Sequence, residues 1–263
     1  MARSDTYGKM RRRPSSKQNL ARREANLDIL LHPILWQDVA FLFDDFLGDA
    51  INLDLYTLGA DAGATTFASP TTQLRSGVIQ GSTGTTDNEA HALVLAPCWL
   101  GDAYCGTEFR LKHDVVTSIQ VECGLSDPLT SNVLPAITDI DTPASGNGGT
   151  DIAVFHIDTD QTLTTAAFAT DGSTASMNCT KTNLGTYAPT ADTYYTIRVQ
   201  LSGDTSAIGV YENGQLMHFA NHGDVIASRI EGGVLVGPRL LIRTRNTTAK
   251  VTDVDYVAAW QDR

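Results

Sequence analysis

The chain has 263 residues, 42% of them hydrophobic and 19% charged, enough apolar material to bury a full core in one large domain. No run approaches ~18 consecutive apolar residues, so a membrane-spanning helix is excluded. The first residues are basic and polar, without the apolar stretch of a secretory leader, so no membrane partner is expected.

Charge divides the chain unevenly. Residues 1–23 carry eight cations, Arg3, Lys9, Arg11, Arg12, Arg13, Lys17, Arg22 and Arg23, against one acid, Asp5, for a net +7. The overall charge is −11, which leaves −18 on the remainder. A short cationic arm before an acidic body points to an acidic partner met by the arm, while the body itself disfavours nucleic acid.

Taken in chain order, residues 1–14 read as an arm ending at Pro14. Ser15 or Ser16 can cap a short helix, in which Leu20, Leu27, Leu30, Leu31 and Ile34 recur at roughly helical spacing until Pro33 ends or kinks it. From Phe41 the apolar runs shorten, and Gly, Asn, Asp, Ser and Thr interrupt them every 8–12 residues, the pattern of an antiparallel sandwich. Strands are expected at 65–68, 77–80, 90–96, 106–111, 118–124, 151–158, 175–180, 194–201, 207–212, 215–220, 240–245 and 250–260. Tyr195, Ile197, Val199 and Leu201 alternate with polar residues at a period of two. Asn213-Gly214 is a strong hairpin signal, because a type I′ turn needs positive φ at both central positions. Val254, Tyr256, Ala258 and Trp260 alternate with Asp253 and Asp255, suggesting an apolar face backed by a wet one. Thr138–Thr150 reads as a long loop. Two parts follow: 1–40, a basic arm with a short helix, and 41–263, an all-β antiparallel jelly-roll sandwich.

The order Tyr194-Tyr195-Thr196-Ile197-Arg198-Val199, Val210-Tyr211-Glu212-Asn213-Gly214, Pro238–Arg243 and Val254-Asp255-Tyr256-Val257 resembles the concanavalin A-like lectin/glucanase jelly roll, above all its laminin-G-like relatives. Phe43-Asp44-Asp45-Phe46 looks like the opening strand of such domains, as does Gly106–Phe109 followed by Val121–Leu125. The resemblance covers about residues 41–263. This body with a cationic arm is similar in architecture to virion structural proteins of tailed bacteriophages. That likeness implies a capsid decoration protein in the virion, in homo-oligomeric form, whose partners are capsid or other virion proteins. The alternative is a tail or fibre adhesin that binds host glycans through the sandwich loops.

Chemistry is sparse. None of the glutamates, Glu24, Glu89, Glu108, Glu122, Glu212 and Glu231, lies two to four residues from another, so the paired carboxylates of a glycosidase are not visible. Gln120-Val121-Glu122 lacks the histidine that a lyase of this fold would carry, and Arg243, Arg245 and Tyr256 do not complete its set. His218 and His222 have the spacing of zinc ligands on a helix but read as strand, and Asp139, Asp141 and Asp151 match no calcium loop. Neither a metal nor a cofactor is expected, and no enzyme. Cys98, Cys105, Cys123 and Cys179 form no C-x-x-C pair; Cys98 and Cys105 are close enough in sequence to bridge across a loop, and without a secretory leader the four read as reduced and buried. Trp99, Tyr104 and Tyr187 lie near loops where a sugar could stack. The partner-binding residues assigned from sequence are Arg11, Arg12, Arg13, Lys17, Arg22 and Arg23, whose guanidinium and ammonium groups suit carboxylates or phosphates.

Overall fold

The structure, a computed structural model, describes residues 39–262 apart from 49, 71–76, 102, 129–131, 136–149, 162–163, 171–179, 186, 203–204, 213–214, 222–229 and 231–232. The arm, the expected helix and the six assigned cations lie outside the described residues.

The described residues form strands β1 (Val39–Asp44), β2 (Tyr56–Ala60), β3 (Thr65–Ala68), β4 (Ile79–Ser82), β5 (Ala90–Leu95), β6 (Trp99–Leu100), β7 (Cys105–His113) and β8 (Ile119–Ser126). The second half adds β9 (Ile152–Asp158), β10 (Thr165–Thr170), β11 (Thr180–Gly185), β12 (Tyr195–Ser202), β13 (Thr205–Glu212), β14 (Gln215–Asn221), β15 (Leu235–Thr244) and β16 (Val251–Asp262). They make two sheets. The first runs β14-β13-β12-β7-β16-β4-β3, and the second β11-β10-β9-β8-β15-β5-β2 with β6 beside β15. The strand pairs with a defined register are antiparallel, and distant segments interleave: β16 pairs with β4 and β7, and β15 with β5 and β8.

Period-two alternation supplies the core. Ile119, Val121, Cys123 and Leu125 of β8 point one way, and so do Phe109 and Leu111 of β7, Ile197 and Val199 of β12, and Leu240 and Ile242 of β15. Phe155, Leu93 and Tyr195 join them between the sheets. Each large apolar side chain buried there contributes roughly 1.5–3 kcal/mol.

The all-β expectation holds. The Asn-Gly hairpin is supported by register: Glu212 faces Gln215 across the β13–β14 pair, which leaves two residues for the connection. Three expectations need correction. The alternation of the last strand breaks at a register shift between Val254 and Tyr256, so Val254 and Val257 both enter the core; a β-bulge adds the residue that flips the faces. The opening strand ends at Asp44 rather than running through Phe46, which sits at φ 52° with its N–H donated to the Asp44 Oδ1 at 2.9 Å. The strand expected at 175–180 is β11 at Thr180–Gly185, with 175–179 outside the described residues.

Candidate functional site

Among the described residues, three polar clusters bear on function. The first is the outer face of the first sheet, where Gly106, Glu108, Arg110 and Lys112 of β7 face away from the core. Glu108 is fully buried. The Arg198 Nε donates to its Oε2 at 2.6 Å and the Tyr256 hydroxyl to its Oε1 at 2.5 Å. The Arg198 guanidinium lies 5.4 Å from the centre of the Trp260 ring, and Gly106 leaves the space that ring occupies. Farther along, Lys112 Nζ meets Asp253 at 2.8 Å, Gln80 Nε2 donates to the same carboxylate, and Arg110 pairs with Asp255. The hydrogen bond to Asp253 holds the Lys112 ammonium above its ordinary pKa. Tyr194 lies beneath Arg110 and Lys112, 4.5 and 5.2 Å from its ring centre, and burial pushes its phenol up. Cation and anion alternate in matched pairs. Such a layer ties β7 to β12 and β16.

The second is the outer face of the second sheet. Gln120 and Glu122 of β8, His156 of β9 and Arg239 of β15 are all fully buried. Arg239 Nη1 donates to the Glu122 Oε2 at 2.6 Å, and the His156 Nδ1 stands 3.4 Å from the other carboxylate oxygen. Arg243 Nη1 donates to the Gln120 Oε1 at 3.2 Å, and Arg245 Nε approaches Asp158 at 3.3 Å. Burial lowers the Arg239 pKa and raises that of Asp158. Part of the roof is the segment 132–135. Its Leu134 carbonyl accepts from Arg239 Nη2 at 2.5 Å, and Val133 packs on Ala90, Ala92 and Leu241. Glu108 and Glu122 thus sit in different sheets, each locked to its own arginine, and do not form a carboxylate pair across a cleft.

The third is a cleft of about 540 Å³ at one end of the second sheet, lined by Pro97, Asp127, Pro128, Thr150, Asp151, Val234 and Leu235. These come from the segments that follow β5 and β8 and precede β9 and β15. Asp127 folds the β8–β9 connection back on itself. Its N–H donates to the Asp151 carbonyl at 2.9 Å, and its carboxylate accepts from the Thr150 N–H at 3.0–3.1 Å and the Thr150 Oγ1 at 2.7 Å. The Thr150 Oγ1 also lies 3.0 Å from Asp151 Oδ2. Beside the cleft, Leu235 faces Leu100 across the β15–β6 pair, and both are exposed. Gly101 N–H to the Val234 carbonyl and Ala103 N–H to the Leu100 carbonyl hold the next turn, which carries Tyr104 at 50% exposure.

The three aromatics flagged from sequence therefore separate: Tyr104 stands in solvent, whereas Trp99 and Tyr187 are buried. Asp151 belongs to the cleft, while Asp139 and Asp141 lie outside the described residues. His218 is on strand β14, and His222 lies outside the described residues. Among the described residues no group of three or more His, Cys, Asp or Glu is placed to hold a metal ion. Cys105 and Cys123 are buried as expected. Cys98 is free but exposed, and Cys179 lies outside the described residues.

No protein-family model and no curated protein matches the chain. Solved structures do. Peanut lectin, solved with a nine-residue peptide, aligns with TM-score 0.57 over 85% of this chain and 97% of its own, at 11% identity. The lectin UEA-II in complex with galactose aligns at 0.55 over 85% and 99%, at 13% identity. A pseudo beta-1,3-glucanase of Mycobacterium tuberculosis aligns at 0.53 over 84% and 98%, at 11% identity. The fold is the concanavalin A-like jelly roll. At these identities the likeness is one of fold, and the chemistry of a site has to come from this chain's own residues.

Proposed function

We propose that the chain is a glycan-binding module, acting without turnover, whose sugar seat is the cleft at the end of the second sheet. The observation that carries this reading is the pairing of an exposed apolar rim, Leu235 with Leu100 opposite it in the β15–β6 pair, with the carboxylate-bearing Asp127 and Asp151; the exposed Tyr104 follows on the turn after Leu100. A pyranose has an apolar C–H face that packs on such a rim, and hydroxyl groups that donate to carboxylates. The lectin neighbours share the scaffold, and one of them was solved with galactose bound. A glycan array probed with the full chain tests the reading. At least one glycan class is expected to be retained, and Tyr104→Ala is expected to weaken that binding about tenfold, some 1.4 kcal/mol, with the melting temperature unchanged. An empty array, or equal binding by Tyr104→Ala, overturns it.

We also propose that the carrier of this module is a virion, with residues 1–40 docking the sandwich to a shell protein or to another subunit. The charge asymmetry favours this: +7 on residues 1–23 against −18 on the rest. Replacing Arg11, Arg12, Arg13, Arg22 and Arg23 by Gln in the full chain is expected to abolish incorporation into shells lacking the protein, as read by cryo-electron microscopy. Incorporation at the wild-type level overturns the docking role.

A further inference from the structure

The β1–β2 connection displays apolar surface that the core does not require. It is firmly built. Phe46 is buried in the core with its ring centre 5.7 Å from that of Tyr56, so the two ends of the loop are pinned together. Ile51 and Leu55 pack against the same core, and the Asp54 N–H is capped by Asn52 Oδ1 at 3.0 Å. Phe46 holds a left-handed backbone that a bulky side chain adopts only where its surroundings enforce it. Yet from this loop Leu47 and Leu53 project at 74% and 70% exposure, with Phe43 at 45% just before it. Residues 43–54 also carry four acids, Asp44, Asp45, Asp49 and Asp54, and no cation. An acidic, leucine-tipped loop is complementary to a basic apolar segment.

The chain contains such a segment. Residues 1–38, which precede the described structure, combine the cations Arg11, Arg12, Arg13, Lys17, Arg22 and Arg23 with the apolar residues Leu20, Leu27, Leu30, Leu31 and Ile34. We propose that the β1–β2 loop is the receptor for the residue 1–38 arm of a second copy of this chain, so that two copies exchange arms. The inference deepens the docking reading of residues 1–40 and rests on it. Residues 39–263 carry −15, so two bodies repel one another; the 1–38 arm carries +4, with its +7 on residues 1–23 and the acids Glu24, Asp28 and Asp38 after them, and its cationic end laid between the bodies offsets part of that field. The sixteen peptide units between Arg23 and Val39 span up to about 55 Å when extended, more than the radius of a body of this size. Exchange is reciprocal, so one pair makes two identical arm–loop contacts and each strengthens the other.

Sedimentation velocity on the full chain tests this by charge exchange. The wild type is expected to be dimeric at ~10 µM at low salt and to dissociate as salt screens the contact. Two variants, Arg11→Glu with Arg12→Glu and Arg13→Glu, and Asp45→Lys with Asp54→Lys, are each expected to raise the dissociation constant at least tenfold. An equimolar mixture of the two is expected to recover the dimer, because each altered arm then meets an altered loop. Leu47→Ser with Leu53→Ser changes only exposed side chains and is expected to weaken the dimer while melting as the wild type does. A monomeric wild type overturns arm exchange. Shell incorporation by that same monomer would leave docking to a foreign partner standing. A mixture that stays monomeric, or loop variants that dimerise normally, places the arm elsewhere and overturns the loop as its receptor.

Discussion

Arg239→Met is expected to destabilise the sandwich by about 3–5 kcal/mol, because it removes the guanidinium that offsets the desolvation of the buried Glu122 carboxylate, whose other oxygen has the His156 Nδ1 at 3.4 Å. Glu122 and Arg239 are both fully buried on the outer face of the second sheet, joined at 2.6 Å. Taking either charge out of water is costly, and the pair is tolerable only because each partner and the surrounding hydrogen bonds offset the other's desolvation. Removing the guanidinium also frees the Leu134 carbonyl of its arginine donor and loosens the segment over the face. The double variant Arg239→Met with Glu122→Met is expected to recover most of the loss, since an apolar pair of similar volume brings no buried charge. Urea denaturation of the four members of this cycle gives the coupling directly. A loss below about 1 kcal/mol in Arg239→Met would show that water already reaches Glu122.

Much of the first sheet was legible in the sequence because its strands obey local rules. Tyr195 to Leu201 alternates strictly, and β12 runs Tyr195–Ser202. Glu212 and Gln215 flank a turn signal that acts over two residues, and they pair as it requires. The strands that escaped are those whose reason for being extended is not local. β10, Thr-Ala-Ala-Phe-Ala-Thr, is rich in alanine, a poor strand former, and is extended because β9 and β11 pair with it on both sides. β2 contains Leu58-Gly59-Ala60 and is fixed by five register partners in β5. β6 has two residues and exists only as a partner for the start of β15.

The candidate sites were less legible still. Glu122 and Arg239 are 117 positions apart, and Glu108 and Arg198 are 90 apart. No spacing rule along one strand reaches across such intervals; the pairs form because β8 lies beside β15 and β7 beside β12. The cleft has the same origin, since four separate chain segments line it. Asp151, flagged from sequence as one of three acids of a calcium loop, lines the cleft, but its flag pointed to a metal and not to this seat. Tyr104, on the turn after Leu100, was grouped with Trp99 and Tyr187, and only burial separates the three.

Acid is expected to unfold this protein through two buried imidazoles. His91 is fully buried against Phe67, ring centres 4.6 Å apart, and burial lowers its pKa from 6.5 to about 4. His113 is fully buried between Thr252 Oγ1 at 2.9 Å and the Tyr195 hydroxyl at 2.7 Å, and burial, with His91 as a smaller cause, lowers its pKa to about 3. The unfolded chain takes up a proton at each histidine near pH 6.5, whereas the folded chain does so only near pH 3–4, so the unfolded state binds more protons in between. Stability is therefore fully present above pH 6.5 and is lost progressively down to about pH 3, by on the order of 3–5 kcal/mol for each histidine. Against a total of about 5–15 kcal/mol for a typical domain, that loss is enough to unfold it. Denaturant titrations between pH 7 and pH 4 measure the slope. His91→Leu keeps an apolar side chain beside Phe67 and removes one titrating group, so its stability is expected to fall much less steeply with acid than that of the wild type. Parallel pH profiles for the two proteins would show that His91 is not a group whose protonation the fold resists.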